Sequence, residues 1–126
     1  MIFRQTGLKS NVLKVFDTDK TALETLASTN TPTISLSQDE EIKRYKANNM
    51  MYFISGDIKP NEDGTYIRND SNLNSRDLIV IDIENTGLIS QEIQDIIQER
   101  LESYKYLLYS TISHKQNNPR LRLVLE

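Results

Sequence analysis

The sequence predicts an α+β fold, with helices packed against one face of a sheet. Short apolar runs rich in β-branched and aromatic residues, such as 78–84 and 106–111, indicate strands. Between them, over residues 89–104, isoleucines recur at helical spacing. A strand, a helix and a second strand make a β-α-β unit, so the two strands are predicted to be parallel neighbours.

The first part of the chain contains a short strand candidate followed by a helix. Residues 12–16 are predicted to form the strand, and Asp17 or Thr18 is predicted to cap a helix through residues 21–27. The polar residues 28–32, which end in a proline, are predicted to form the loop that ends this helix.

A second helix and a core strand come next. In Ser37-Gln38-Asp39-Glu40 the serine and the glutamate stand at capping-box spacing, which predicts a helix that runs to Asn48. Residues 50–55 are predicted to form a core strand, and residues 65–68 to return as its hairpin partner. On this basis residues 1–48 are a helical N-terminal part.

Residues 78–84 are the predicted central strand. Four leading apolar residues indicate a strand covered on both faces, after which Asp82, Ile83 and Glu84 alternate. Because strand side chains point to alternate faces, the two carboxylates are expected on one face, with Cα atoms roughly 6.6 Å apart. Acids at this distance either hold a divalent cation or lie beyond the sheet edge in solvent.

Composition limits the classes of function. A chain of 126 residues fits one domain, and the lack of cysteine excludes disulfides, zinc–thiolate sites and a thiol nucleophile. No apolar run approaches the roughly 20 residues of a membrane span, so no membrane partner and a cytoplasmic location are expected. With a net charge of −3, any contact with phosphate must come from local groups of cations.

The strongest local excess of cationic side chains lies near the C-terminus. His114, Lys115, Arg120 and Arg122 fall within nine positions, and the strand candidate 120–125 alternates its arginines with leucines. Parallel neighbours end at the same rim of a sheet, so we expect the histidine and the arginines to converge with the two acids. Such a set suits a divalent cation and a triphosphate.

These segments resemble the archaeo-eukaryotic primase (primase–polymerase) superfamily, as found in replication proteins of phages and mobile elements. The resemblance covers about residues 50–126. The strand that ends in Asp82-Ile83-Glu84 is similar to the first metal-binding motif of that superfamily. Tyr109-Ser110-Thr111-Ile112-Ser113-His114 and Pro119-Arg120-Leu121-Arg122 are similar to its Ser/Thr-rich strand with a histidine and its Pro-Arg-x-Arg strand. The segments before the first motif are also similar: Phe53-Ile54-Ser55-Gly56, Arg68 and Arg76-Asp77-Leu78.

The resemblance implies an RRM-like, primase-type sheet and a metal-dependent nucleotidyltransferase that works on a single-stranded DNA template. It implies that Asp82 and Glu84 are catalytic and bind Mg²⁺ or Mn²⁺. It also implies that nucleoside triphosphates are contacted by His114, Ser113, Arg120, Arg122 and Arg68. A helicase domain or other replication proteins are the further partners that it implies.

The sequence departs from the pattern of this superfamily in one respect. Its members carry a third acidic motif on a later strand, and this sequence reaches Glu126 without one. The core at 50–126 is therefore predicted to be truncated at its C-terminus, and whether it is active alone stays open. Two alternatives stay open: a non-catalytic domain that binds nucleic acid or a replication protein, and a metal-dependent nuclease.

Overall fold

The computed structural model describes residues 1–16, 18–29 and 34–126. The chain divides into two compact units, Met1–Asp77 and Leu78–Glu126, each of which combines strands with helix. This mixture confirms the predicted α+β class. None of the helices within the described ranges is long and apolar enough to cross a membrane.

The first unit is built on strands. In chain order they are β1 (Ile2–Thr6), β2 (Val12–Val15), β3 (Met51–Ser55), β4 (Asp57–Ile58), β5 (Tyr66–Ile67) and β6 (Leu73–Ser75). Four of them form a sheet in the order β3-β1-β2-β5, with antiparallel pairing throughout, and β4 pairs separately with β6. The strand predicted over residues 12–16 is confirmed as β2, whereas β1 was not predicted, so the description of residues 1–48 as a helical part was incomplete.

The predicted hairpin between residues 50–55 and 65–68 was wrong. Strand β5 pairs with β2, with Val12 opposite Ile67, whereas β3 pairs with β1 over five residues. Strands β3 and β5 therefore lie at opposite edges of the four-stranded sheet. Buried Phe3, Leu13 and Ile58 form the core of this unit. The ring centroids of Phe3 and Tyr66 are 4.9 Å apart.

The first unit also contains helices α1 (Ala22–Ser28) and α2 (Asp39–Asn48). The predicted cap of α1 was wrong, because Thr21 caps it: the Thr21 hydroxyl accepts from the Glu24 N–H, and the Thr21 N–H donates to the Glu24 carboxylate. Of the two predicted caps, the hydroxyl of Thr18 is hydrogen-bonded to that of Thr25, and Asp17 lies outside the described residues. Residues 30–32 of the predicted loop also lie outside them.

The predicted capping box of α2 was wrong as well. If Ser37 were the N-cap, the helix would begin at residue 38, but it begins at Asp39. The N-cap is therefore Gln38, whose side chain makes no capping hydrogen bond. Asp39, Glu40 and Glu41 instead place three carboxylates in the first turn, where the positive end of the helix dipole favours them.

The second unit contains one helix and one sheet. Its elements are β7 (Ile79–Ile83), α3 (Ser90–Arg100), β8 (Tyr106–Ser110) and β9 (Leu121–Leu125), and the sheet has the order β7-β9-β8. Both β7 and β8 pair antiparallel with β9. They therefore run in the same direction, as predicted, but they are not neighbours, because β9 lies between them. This arrangement is a split β-α-β unit.

The position of β9 corrects the expected burial of β7. Among the strands of the described residues, β7 pairs only with β9, and Ile79 and Ile81 are 62% and 44% exposed, so β7 is an edge strand and not the central strand covered on both faces. The central strand is β9, in which Leu121, Leu123 and Val124 are buried. An apolar run shows that a segment favours β-structure, but it does not determine how many neighbours the strand will have.

The two faces of this sheet differ in character. Leu121 and Leu123 lie on one face, opposite Ile83 and Ile81. Helix α3 lies on that side of the sheet, because its Gln94 and Gln98 line a cleft together with Leu108 and Leu121. The side chains of Arg120 and Arg122 lie on the other face, as the alternation of residues 120–125 predicts.

Candidate functional site

A row of three polar side chains crosses the sheet of the second unit on the face opposite α3. Asp82 on β7 and Tyr109 on β8 are both paired in register with Arg122 on β9. Directly opposed residues of antiparallel strands place their side chains on the same face. The guanidinium of Arg122 is therefore flanked by a carboxylate and a phenol.

The contact between Arg122 and Asp82 is bidentate. The Arg122 Nε–H donates to Asp82 Oδ1 at 2.6 Å, and Nη2 donates to Oδ2 at 3.2 Å. The hydrogen bond to Asp82 is the main reason that the pKa of Arg122 is raised above its usual value, and burial acts in the opposite direction. The Asp82 side chain is still 59% exposed, so it remains accessible to a ligand from solvent.

A second row lies one step closer to the rim of the sheet. Arg120 Nη1 lies 3.2 Å from Glu84 Oε2, and the backbone carbonyl of Arg120 accepts a hydrogen bond from the Thr111 N–H at 2.9 Å. Each of the two acids thus has its own arginine. The structure therefore brings together Asp82, Glu84, Arg120 and Arg122, as predicted.

His114 joins the same rim through the backbone of Arg120. The Arg120 N–H donates to His114 Nδ1 at 3.1 Å, and the His114 N–H donates to the carbonyl of Thr111 at 3.0 Å. Because Nδ1 is used as an acceptor, the neutral ring carries its proton on Nε2. The turn that joins β8 to β9 therefore presents the Nε2–H group of His114 as a hydrogen-bond donor.

A cleft of about 500 Å³ adjoins this histidine. It lies between α3 and the β8 side of the sheet, with Gln94 and Gln98 on the helix and Ser110 and His114 at the rim. This volume is within the range of sites that hold small molecules. Amide, hydroxyl and imidazole groups line the cleft, which opens on the α3 face of the sheet, opposite the face that carries Asp82 and Arg122.

The acids fit a divalent cation only together with another ligand. Among the described residues, no three His, Cys, Asp or Glu side chains are grouped so that they could hold a metal ion. Mg²⁺ is commonly bound by one or two carboxylates, with waters and substrate phosphates as the other ligands. Asp82 and Glu84 offer oxygen donors of this kind, and their arginines would have to release them.

The remaining predicted residues are placed differently. Ser113 is partly buried and lies in the β8–β9 turn beside His114. Arg68 lies in the first unit, at the end of β5, where it lines a different and smaller cleft. The pairing of Tyr109 with Arg122 could not be predicted, because alternation within a strand gives no information on which residue of another strand lies opposite. Gln94 and Gln98 carry no motif in the sequence that marks them as lining a cleft.

No family model, no curated protein and no solved structure matches this chain.

Proposed function

We propose that this chain is a nucleotidyltransferase domain of the primase–polymerase type from a phage or mobile-element replication protein. It would add nucleotides to a DNA strand on a single-stranded template, with Mg²⁺ or Mn²⁺ as cofactor. One observation carries the proposal: Asp82, Glu84, Arg120, Arg122 and His114 meet at one rim of one sheet. This convergence supports the resemblance that the sequence motifs indicate.

The reaction would join a primer 3′-hydroxyl to a nucleoside triphosphate. The hydroxyl oxygen forms a bond to the α-phosphorus, the bond from that phosphorus to the bridging oxygen breaks, and pyrophosphate leaves while the hydroxyl proton passes to solvent. When bound, Mg²⁺ or Mn²⁺ supplies positive charge that neutralises the triphosphate and acidifies the hydroxyl. Asp82 and Glu84 would hold the cation.

The cationic residues of the rim would bind the phosphates. Arg120 and Arg122 now bind carboxylates, and guanidinium binds phosphate oxygens with the same forked geometry. The arrival of a triphosphate with its cation can therefore exchange partners: the arginines move to phosphate and the carboxylates to metal. His114, with its proton on Nε2, would donate a hydrogen bond to the nucleotide.

Primer extension tests the proposal. The full chain is incubated with a primed single-stranded template, Mn²⁺ and deoxynucleoside triphosphates, and product length is measured. Asp82→Ala/Glu84→Ala should lower the rate at least about 100-fold, because the acids supply several kcal/mol through the cation. The matched control, Glu99→Ala/Glu102→Ala, removes two exposed acids outside the rim and should leave the rate unchanged. No extension by the unmodified chain, or an equal loss in both variants, refutes the proposal.

A second function is favoured by the same ion pairs. Each acid is already neutralised by an arginine, which is how a purely structural pair on a sheet would look. In that case the chain would bind nucleic acid or another replication protein without chemistry. It would then retard the template in a gel and form no product at any Mn²⁺ concentration.

A further inference from the structure

A small cleft in the first unit has an apolar floor and a charged mouth. Its volume is about 100 Å³, and Ile54, Ile58, Ile67 and Leu73 form the floor. Sites for drug-sized ligands span roughly 300–1,000 Å³, and a water molecule takes about 30 Å³. The cleft therefore has space for a group of a few heavy atoms, such as a single phosphate, and not for a nucleoside.

Two arginines stand at the mouth of this cleft. Arg68 and Arg76 both line it and are exposed, and in the part of the chain that the structure describes neither guanidinium takes part in a hydrogen bond or an ion pair. What distinguishes this pair is its location, because both guanidiniums line one small cleft. Two unpaired guanidiniums at one small cleft are suited to a shared anionic ligand.

The other polar groups at the mouth set the sign and size of the charge. The Asn69 side-chain oxygen Oδ1 accepts from the Ser71 N–H at 3.1 Å, so the side-chain N–H₂ of Asn69 is left to act as a donor. Asp70 also lines the cleft and opposes one arginine, which leaves a net charge of about +1 among the lining side chains. A charge of +1 matches a single phosphodiester better than a triphosphate.

We propose that this cleft binds one phosphodiester group of a single-stranded nucleic acid, through the guanidiniums of Arg68 and Arg76 and the amide of Asn69. The inference deepens the proposed function, because it identifies a contact for the strand on which that function acts. It depends on no residue of the Asp82–Glu84 rim. The backbone of the cleft is held in place, since the Arg68 N–H donates to the Asn11 carbonyl at 2.7 Å.

The test is fluorescence anisotropy of a labelled thymidine oligonucleotide with the full chain, without metal or nucleotide, over a range of salt concentrations. Arg68→Gln/Arg76→Gln should weaken binding about tenfold at low salt, because it removes charge-assisted hydrogen bonds. It should also lower the slope of log affinity against log salt by about one. The matched control, Lys43→Gln/Arg44→Gln, removes the same charge from exposed positions on α2 and should change both quantities much less.

A second variant keeps the fold intact. Asn69→Asp retains the oxygen that accepts from Ser71 but replaces the amide donor with negative charge, so it should weaken binding at least as much. Loss of binding in the cleft variants with retention in Asp82→Ala/Glu84→Ala supports the inference even if primer extension fails. Equal effects of the cleft and control variants overturn it. The inference is also overturned if Arg68→Gln/Arg76→Gln weakens the binding of thymidine triphosphate but leaves the binding of the oligonucleotide unchanged.

Discussion

Arg122 binds both carboxylate oxygens of Asp82 across the β7–β9 pair, at 2.6 and 3.2 Å. The two residues are 40 positions apart in the chain and directly opposite in register. The pair therefore fastens the edge strand to the central strand. It also occupies the oxygens that a cation would need, so its structural and functional roles can be separated by mutation.

The structural role predicts a small coupling energy. In a double-mutant cycle of Asp82→Asn and Arg122→Gln, we expect roughly 0.5–1 kcal/mol of coupling, because the exposed carboxylate keeps most of its hydration. Urea unfolding of the four proteins measures it. A coupling well above this range would show that the pair behaves as a buried one.

The functional role predicts opposite effects of one substitution. Arg122→Gln frees Asp82, so binding of Mn²⁺ to the nucleotide-free chain should become a few times tighter, since a competing charge is removed. Primer extension should fall, since the same guanidinium is proposed to bind phosphate. Calorimetric titration with Mn²⁺ measures the first effect, with Arg100→Gln on α3 as the control for net charge. Unchanged or weaker Mn²⁺ binding in Arg122→Gln contradicts the proposed exchange.

The edge position of β7 predicts an asymmetry between two residues that face each other. Leu123 is buried and Ile81, opposite it, is 44% exposed. Leu123→Ala should lower the free energy of unfolding by about 2–4 kcal/mol, and Ile81→Ala by less than about 1.5 kcal/mol. Thermal or urea unfolding compares them. Similar losses would mean that β7 is covered in solution.

Local patterns in the sequence were sufficient for several elements. The alternation of residues 120–125 correctly separates the arginine face from the leucine face, because side-chain direction in a strand depends only on position. The isoleucine spacing correctly locates α3, although the helix ends at Arg100 and not near Tyr104. The two acids also lie at the end of a strand, as their place after an apolar run indicates.

Features set by distant residues could not be predicted in this way. That β9 inserts between β7 and β8 depends on a pairing of residues about 40 positions apart. Strand β1 was missed because its segment, Ile-Phe-Arg-Gln-Thr, is largely polar. Its Gln5 is nevertheless buried, with its side-chain amide donating to the Gly7 carbonyl at 2.7 Å. Burial of this kind results from tertiary packing that overrides local preference.

Two glycines with positive φ predict different costs for the same substitution. Gly56 has φ of 135°, and a Cβ there would collide with the backbone carbonyl of Ser75, whereas Gly64, with φ of 81°, has open space around it. Gly64→Ala should therefore cost only about 1 kcal/mol, and Gly56→Ala at least about 2–3 kcal/mol more. Urea unfolding gives both values. Equal costs would show that the 56–75 backbone contact is absent in solution.

Tyr109 predicts how stability changes at alkaline pH. Burial raises the pKa of its phenol above the usual 10.0, and the charge of Arg122 opposes this only in part. The folded state therefore keeps its proton at a pH where the unfolded state has lost it, so the free energy of unfolding should begin to fall as the pH reaches 10.0, the ordinary pKa of the phenol, and should be unaffected well below it. Tyr109→Phe should make that fall shallower, because phenylalanine does not ionise. Urea unfolding at several pH values measures the slope, and Tyr104→Phe, which removes a phenol from a residue that is 64% exposed, is the control. An equal slope in Tyr109→Phe and the unmodified chain would contradict the burial of this ring.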